Sequence, residues 1–318
     1  MRRRVHFLSP FTLAVSVALV SVVPAMAASR PLVPGSGVKL KNAGDDFEDA
    51  DWGYVFNGPK SSREQDGRMR KPMGYSRNGR WYEGPGRGHP DLIRRVTTPE
   101  GGLPGSEGAL MMATRYSGVL KRSSAENGQD DLFMHVAHRV GGVIPIFQGP
   151  STVVRVYVPP FDQWENRSGA SFGFRATVRG INPKSREREA IWPGLFFQFN
   201  SETSRRESKD SAYLIVRAGE RGNDYRGPRV TPGWWTLGMS FTRDGRVHFF
   251  AHQGVDDLTE NDRIGSHYAY GFRLVQFKDV FFDVFNANNG RSWSTPWIID
   301  DPAVYLANPP RRNVARRR

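Results

Sequence analysis

GWWTLGMSFTRDGRVHFFAHQG, residues 233–254, reads as two strands joined by a tight turn. Trp235, Leu237, Met239 and Phe241 alternate with Thr236, Gly238, Ser240 and Thr242, the period-2 pattern of a strand with one buried face. Asp244-Gly245 follows, a strong hairpin signal because both residue types tolerate positive φ. Val247, Phe249 and Ala251 then resume the alternation against His248, Phe250 and His252. The hairpin has no catalytic motif, so its reading settles fold class and leaves function open.

Outward from the hairpin the same pattern recurs. Strands are expected at 109–114, 132–140, 151–158, 171–179, 195–200, 212–218, 280–286 and 297–305. Turn chemistry at Pro159-Pro160, Asn182-Pro183, Asn223-Asp224 and Asn288-Asn289-Gly290 separates them. Many strands with almost no helical periodicity mean an all-β fold, a β-sandwich of two antiparallel sheets. Residues 57–108 are rich in Gly, Pro and Arg and predict long N-terminal loops, a class of segment that is often functional.

The ends of the chain read differently. Residues 1–27 have a basic start, an apolar stretch too short for a span, and Ala25-Met26-Ala27 as a cleavage site, the pattern of a signal peptide. The mature chain would then run 291 residues, exported to a secreted, periplasmic or cell-surface location, with no transmembrane segment after cleavage. Residues 28–44 are expected as a flexible lead-in, 45–306 as one domain and 307–318 as a basic tail. There is no Cys, which excludes disulfides, Cys nucleophiles, Cys zinc sites and a lipid anchor at Cys. The formal charge of +13 falls to +10 without the three arginines of the signal, and five more arginines lie at 311, 312 and 316–318. That tail suits solvent or an anionic envelope polymer; nucleic acid is not an expected partner for an exported chain.

The hairpin, the opening Asp45-Asp46-Phe47-Glu48 and the terminal Ile299-Asp300-Asp301-Pro302-Ala303-Val304-Tyr305 together resemble the concanavalin A-like lectin/glucanase superfamily, including its laminin-G-like jelly rolls. The likeness covers most of residues 45–306 in strand order. It implies a sandwich whose first and last strands are neighbours, with calcium held there in some members. Asp45, Asp46, Asp300 and Asp301 are the corresponding candidate Ca²⁺ ligands, since hard cations take carboxylate oxygens; the alternative is Asp capping loop amides. Family-16-type glycosidases of this superfamily carry three acidic residues on one inner strand. Here Ile191-Trp192-Pro193-Gly194 resembles the entry to that strand, but Phe197, Gln198 and Phe199 stand where the acids belong. The departure argues against that chemistry, which needs two carboxyl groups about 5 Å apart.

Strand alternation supplies the candidate ligand site. Opposite the apolar faces lie Arg155 and Tyr157, Arg175, Gln198, and Arg217. Brought together, and joined by Trp192 and Trp81, they would form a groove of forked donors and rings suited to a polysaccharide or glycan, an anionic one in particular. The same residues also suit a plain solvated face. Exported glycan binding without catalysis is the leading reading. A polysaccharide hydrolase or lyase using the loops around Trp81, His89 and Asp91, or a structural envelope or matrix protein, is the alternative. The histidines lack a third metal ligand at matching spacing, and no nucleophile elbow or phosphate loop is present.

Overall fold

The 233–254 hairpin forms as its pattern dictates. Gly233–Phe241 pairs with Val247–Gln253, and Phe241 sits opposite Val247. The turn is closed by Thr242 N–H to the Arg246 carbonyl at 3.1 Å, and Gly245 alone takes positive φ, at 88°. Trp235, Leu237, Met239, Phe241, Val247 and Phe249 all enter the core.

The computed structural model describes residues 32–62, 68, 70–117, 128–204 and 207–309. The expected signal peptide and the arginines of the tail lie outside them. In chain order the strands are β1 (Val38–Gly44), β2 (Tyr54–Val55), β3 (Tyr75–Ser76), β4 (Trp81–Glu83), β5 (Leu92–Thr97), β6 (Gly108–Ala113), β7 (Gly128–Met134), β8 (Ile144–Pro145), β9 (Pro150–Val158) and β10 (Gly169–Ile181). They continue as β11 (Arg188–Ile191), β12 (Gly194–Asn200), β13 (Ser211–Arg217), β14 (Asp224–Val230), β15 (Gly233–Phe241), β16 (Val247–Gln253), β17 (Arg263–His267), β18 (Arg273–Asn286) and β19 (Trp297–Leu306). Among the described residues one short α-helix, α1, spans Val136–Val140.

Two antiparallel sheets make a β-sandwich. The first has eight strands, ordered β17-β16-β15-β9-β19-β6-β5, with β1 beside β19. The second has eleven, ordered β14-β13-β12-β10-β18-β7-β4-β3-β2, with β11 beside β10 and β8 beside β18. Their inner faces share one core. Trp297 of the first sheet stacks on Phe197 of the second at 5.2 Å, and Phe241 meets Phe277 at 5.4 Å.

Two local expectations are corrected. Residues 38–44 are not a free lead-in: Val38 and Lys39 pair with Leu306 and Tyr305. The strand expected over 132–140 stops at Met134, and α1 follows, closed by Gly141 at φ 82°. Arg188–Ile191 is a short strand, because Ile191 and Ala190 pair with Val178 and Arg179.

The loops before β5 are held by a buried polar network. Lys60 uses all three ammonium protons, on Asp91 at 2.7 Å, Asp130 at 2.7 Å and the Tyr116 carbonyl at 3.1 Å. Burial opposes its charge, yet Asp130 and Asp91 outweigh it and raise its pKa. Glu83 gathers the backbone N–H groups of Ser61, Met73 and Gly74 at 2.6, 2.8 and 3.1 Å. An irregular segment is thereby fixed onto β4 and β7, with its donors satisfied.

Candidate functional site

Strand register builds the site. On the outer face of the eleven-stranded sheet one row of directly opposed residues crosses nine strands. It runs Asp224, Arg217, Gly194, Arg175, Phe281, Phe133, Tyr82, Tyr75 and Val55. Alternation requires this placement. Phe174, Leu195, Val216, Phe282, Leu132 and Trp81, the sequence neighbours, all go to the core. From Arg217 to Tyr75 the row crosses seven strands, about 30 Å at ~4.8 Å per gap.

The row is charged at one end and aromatic at the other. The Phe196 ring, one row over, lies between two guanidinium groups: Arg217 at 4.2 Å and Arg175 at 5.4 Å from its centroid. Arg175 also lies 5.1 Å from the Phe281 ring, which stacks on Phe133 at 4.5 Å with 2° between planes. Beyond Phe133, Tyr82 stacks on His135 at 4.6 Å. Burial holds the pKa of His135 below its ordinary value. Here the row opens into a cavity of about 450 Å³ lined by Tyr75, Tyr82, Phe133, His135, Lys71 and Lys278 among others.

The second row holds what the sequence reading missed. Phe196, Gly173, Asp283 and Asp131 are consecutive cross-strand partners. The carboxyl groups of Asp131 and Asp283 lie within hydrogen-bonding contact of each other. Burial, and for Asp283 the charge of Asp131, raise both pKa values against the pull of Arg175, whose Nη1 lies 3.4 Å from Asp283 Oδ2. Gln129 donates to Asp131 at 2.7 Å. Gly173 is required beside the pair, because a Cβ there would meet Asp283 Oδ2 and the Phe196 ring at 2.8 Å. Carboxyl groups in contact are closer than the ~5 Å of a retaining glycosidase or the wider inverting gap. The signal was present: Asp283 interrupts the apolar run Val280-Phe281-Phe282-Asp283-Val284-Phe285.

The expected ligand residues divide accordingly. Arg175, Arg217 and Gln198 do share one face, and the Trp192 carbonyl accepts from Arg175 Nε at 3.1 Å, Arg175 Nη2 at 2.8 Å and the Tyr270 hydroxyl at 3.3 Å. The Trp192 ring remains 45% exposed beside them. Arg155 and Tyr157 do not join this face. They lie on β9 in the other sheet, where Arg155 is clamped by Asp257 at 2.7 Å, the Val255 carbonyl at 3.2 Å and Asp301 at 3.4 Å. Trp81 points the other way as well; it is fully buried and donates to Asp45 at 2.7 Å. His89 and Asp91, proposed for catalysis beside Trp81, belong to the interior loop network. Arg217 pairs with Asp224 at 2.9 Å, and Arg175 Nη1 lies 3.4 Å from Asp283 Oδ2.

The first and last strands are neighbours, as the resemblance implied, but their Asp residues do not fit a calcium site. Asp45 accepts from Trp52, Asn78 and Trp81 at 3.1, 2.8 and 2.7 Å. Asp46 accepts from the Glu48 amide, and Asp300 from Ser106 and the Asp301 amide. Asp301 is paired with Lys39 at 2.9 Å and with Arg155. Protein donors and cations occupy these carboxylates, and among the described residues no three His, Asp or Glu side chains converge as a metal site. Among the described residues no helix is long and apolar enough to cross a membrane.

No family model and no curated protein matches the chain. Among solved structures it is similar to a conserved carbohydrate esterase of the Shiga toxin-encoding bacteriophage phi24B, at 10% identity, covering 72% of this chain and 90% of that one, with a TM-score of 0.40. It is also similar to alginate lyase A1-II′ of polysaccharide lyase family 7, at 12% identity over 67% and 86% of the two chains, TM-score 0.34. A third is a carbohydrate-binding module of Caldicellulosiruptor saccharolyticus solved with mannohexaose, at 12% identity over 68% and 82%, TM-score 0.28.

Proposed function

We propose that the outer face of the eleven-stranded sheet is a binding cleft for a polysaccharide chain lying across the strands. One observation carries this: the register-aligned row from Arg217 through Phe281, Phe133 and Tyr82 to Tyr75. A linear ligand needs an extended track that offers ring faces for its C–H surfaces and fixed donors for its hydroxyls. Phe281 and Phe133 are themselves buried in the floor of that track, and its exposed rings are Trp192 beside Arg175 and Tyr75 at the β3 end, 45% and 41% exposed. The paired carboxyls beneath Arg175 hold it in place and lie too close together for two-carboxylate glycoside cleavage. Binding is therefore favoured over hydrolysis.

The test is affinity electrophoresis and calorimetry on a panel of neutral and acidic polysaccharides, with reducing-end release measured in parallel. Trp192→Ala and Tyr75→Ala should each weaken binding about two- to tenfold, the value of one stacked ring. Both rings are exposed, so melting should change little. Wild-type protein that binds no member of the panel would refute the cleft, and release of reducing ends would make it an enzyme.

A further inference from the structure

We propose that the β12–β13–β14 end of this cleft is an anion subsite, built to take the carboxylate or sulfate group of an acidic sugar unit. The inference rests on the cleft reading and adds the charge class of its ligand.

The argument starts from a bulge. Along β13 and β14, Tyr213 pairs with Arg229 and Ile215 with Arg226, so three steps on β14 match two on β13. Without the extra residue, Arg226 and Arg229 would point to opposite faces. The bulge at Gly227-Pro228 brings both to the outer face, and bulges re-aim side chains in this way. Arg226 then lies over the Tyr213 ring at 3.9 Å. Gln198 is the next partner of Tyr213 across β12, so Arg229, Tyr213 and Gln198 form a third transverse row.

Charge separates this end from the rest of the cleft. Arg217 is paired with Asp224, and Arg175 lies 3.4 Å from the Asp283 carboxyl. Arg226 and Arg229 are exposed, and neither makes an ion pair with a described residue. With Lys209 they line a depression of about 240 Å³ whose one carboxylate is Glu207. That volume lies below the ~300 Å³ where whole-ligand pockets begin, a size suited to one charged unit of a longer chain. Guanidinium groups match carboxylate and sulfate oxygens in a fork. An edge strand also uses charge and Pro to block pairing with other chains. That purpose needs outward charge anywhere along β14; it does not need both arginines on one face beside Tyr213.

The experiment compares polygalacturonate with its fully methyl-esterified form, and dextran sulfate with dextran, by calorimetry at low and raised salt. Wild-type protein should prefer the charged member of at least one pair by roughly ten- to a hundredfold, with the preference shrinking as salt rises. Arg226→Ala/Arg229→Ala should abolish the preference and leave binding of the neutral member unchanged. Arg226→Lys/Arg229→Lys should retain the salt-sensitive part and lose the forked part. Equal binding of charged and neutral members by wild type, unaltered in the variant, would overturn the subsite and leave the cleft standing. Binding of no polysaccharide would overturn both. Aggregation of the Ala variant with its charge preference intact would assign the arginines to edge protection and overturn the subsite.

Discussion

At the residue scale the Asp131–Asp283 pair decides how the cleft floor responds to pH. Asp283 is fully buried on a strand whose neighbours are apolar, so ionising it is costly in the fold and easy in the unfolded chain. A carboxyl whose folded pKa is raised binds its proton more tightly when folded. Stability is then highest below its unfolded value and declines as pH rises through the folded one. Asp130, raised to about 7, and Asp300, raised to about 6, both by burial, act with the same sign. Asp283→Asn mimics the protonated state, so its melting temperature should fall less than that of wild type between about pH 5 and about pH 8. Melting scans of both proteins across that range check this; parallel curves would show that the pair is ionised in the fold.

At the element scale, strand patterning was legible in the sequence and strand adjacency was not. Alternation put Arg155, Arg175 and Arg217 on outward faces, and each is outward. It could not say that Arg155 belongs to the other sheet, because period 2 fixes a side chain's face and leaves its neighbours open. Trp81 was misplaced for a related reason. Its strand is three residues long, too short to show a period, and its partner Asp45 lies 36 positions away. The bulge in β14 was hidden likewise: Gly227-Pro228 reads as a break until a partner strand shows the extra residue. The loops before β5 depend on Lys60 in the same non-local way. Lys60→Met would leave Asp91 and Asp130 buried without their cation, and should cost about 3–5 kcal/mol in urea unfolding. Adding Asp130→Asn should recover part of that loss. A Lys60→Met protein as stable as wild type would mean that the loops are held by Glu83 and packing alone.

At the scale of the whole molecule, the strand that pairs with the last one, β1, lies in residues expected as a flexible lead-in, while the all-β composition could be read in advance, since it rests on long, regular elements. The cation between those strands could not, because carboxylates in a sequence look alike whether a metal or an arginine answers them. With Lys39, Arg80 and Arg155 beside Asp45 and Asp301, excess chelator should leave the melting temperature unchanged. A fall in melting temperature, with a divalent ion found by elemental analysis, would show that calcium is held there after all. The position of β19 has a kinetic consequence. It lies between β9 and β6, strands that precede it by more than a hundred residues. Until residues 297–306 arrive, the eight-stranded sheet is three pieces, β17-β16-β15-β9, β6-β5 and β1 alone, and Trp297 is missing from the aromatic stack that joins the layers. Folding therefore cannot advance hairpin by hairpin from one end. The slow step expected from this topology is the closing of a long loop around one inserted strand, and stopped-flow refolding should show the slow rates of high-contact-order proteins.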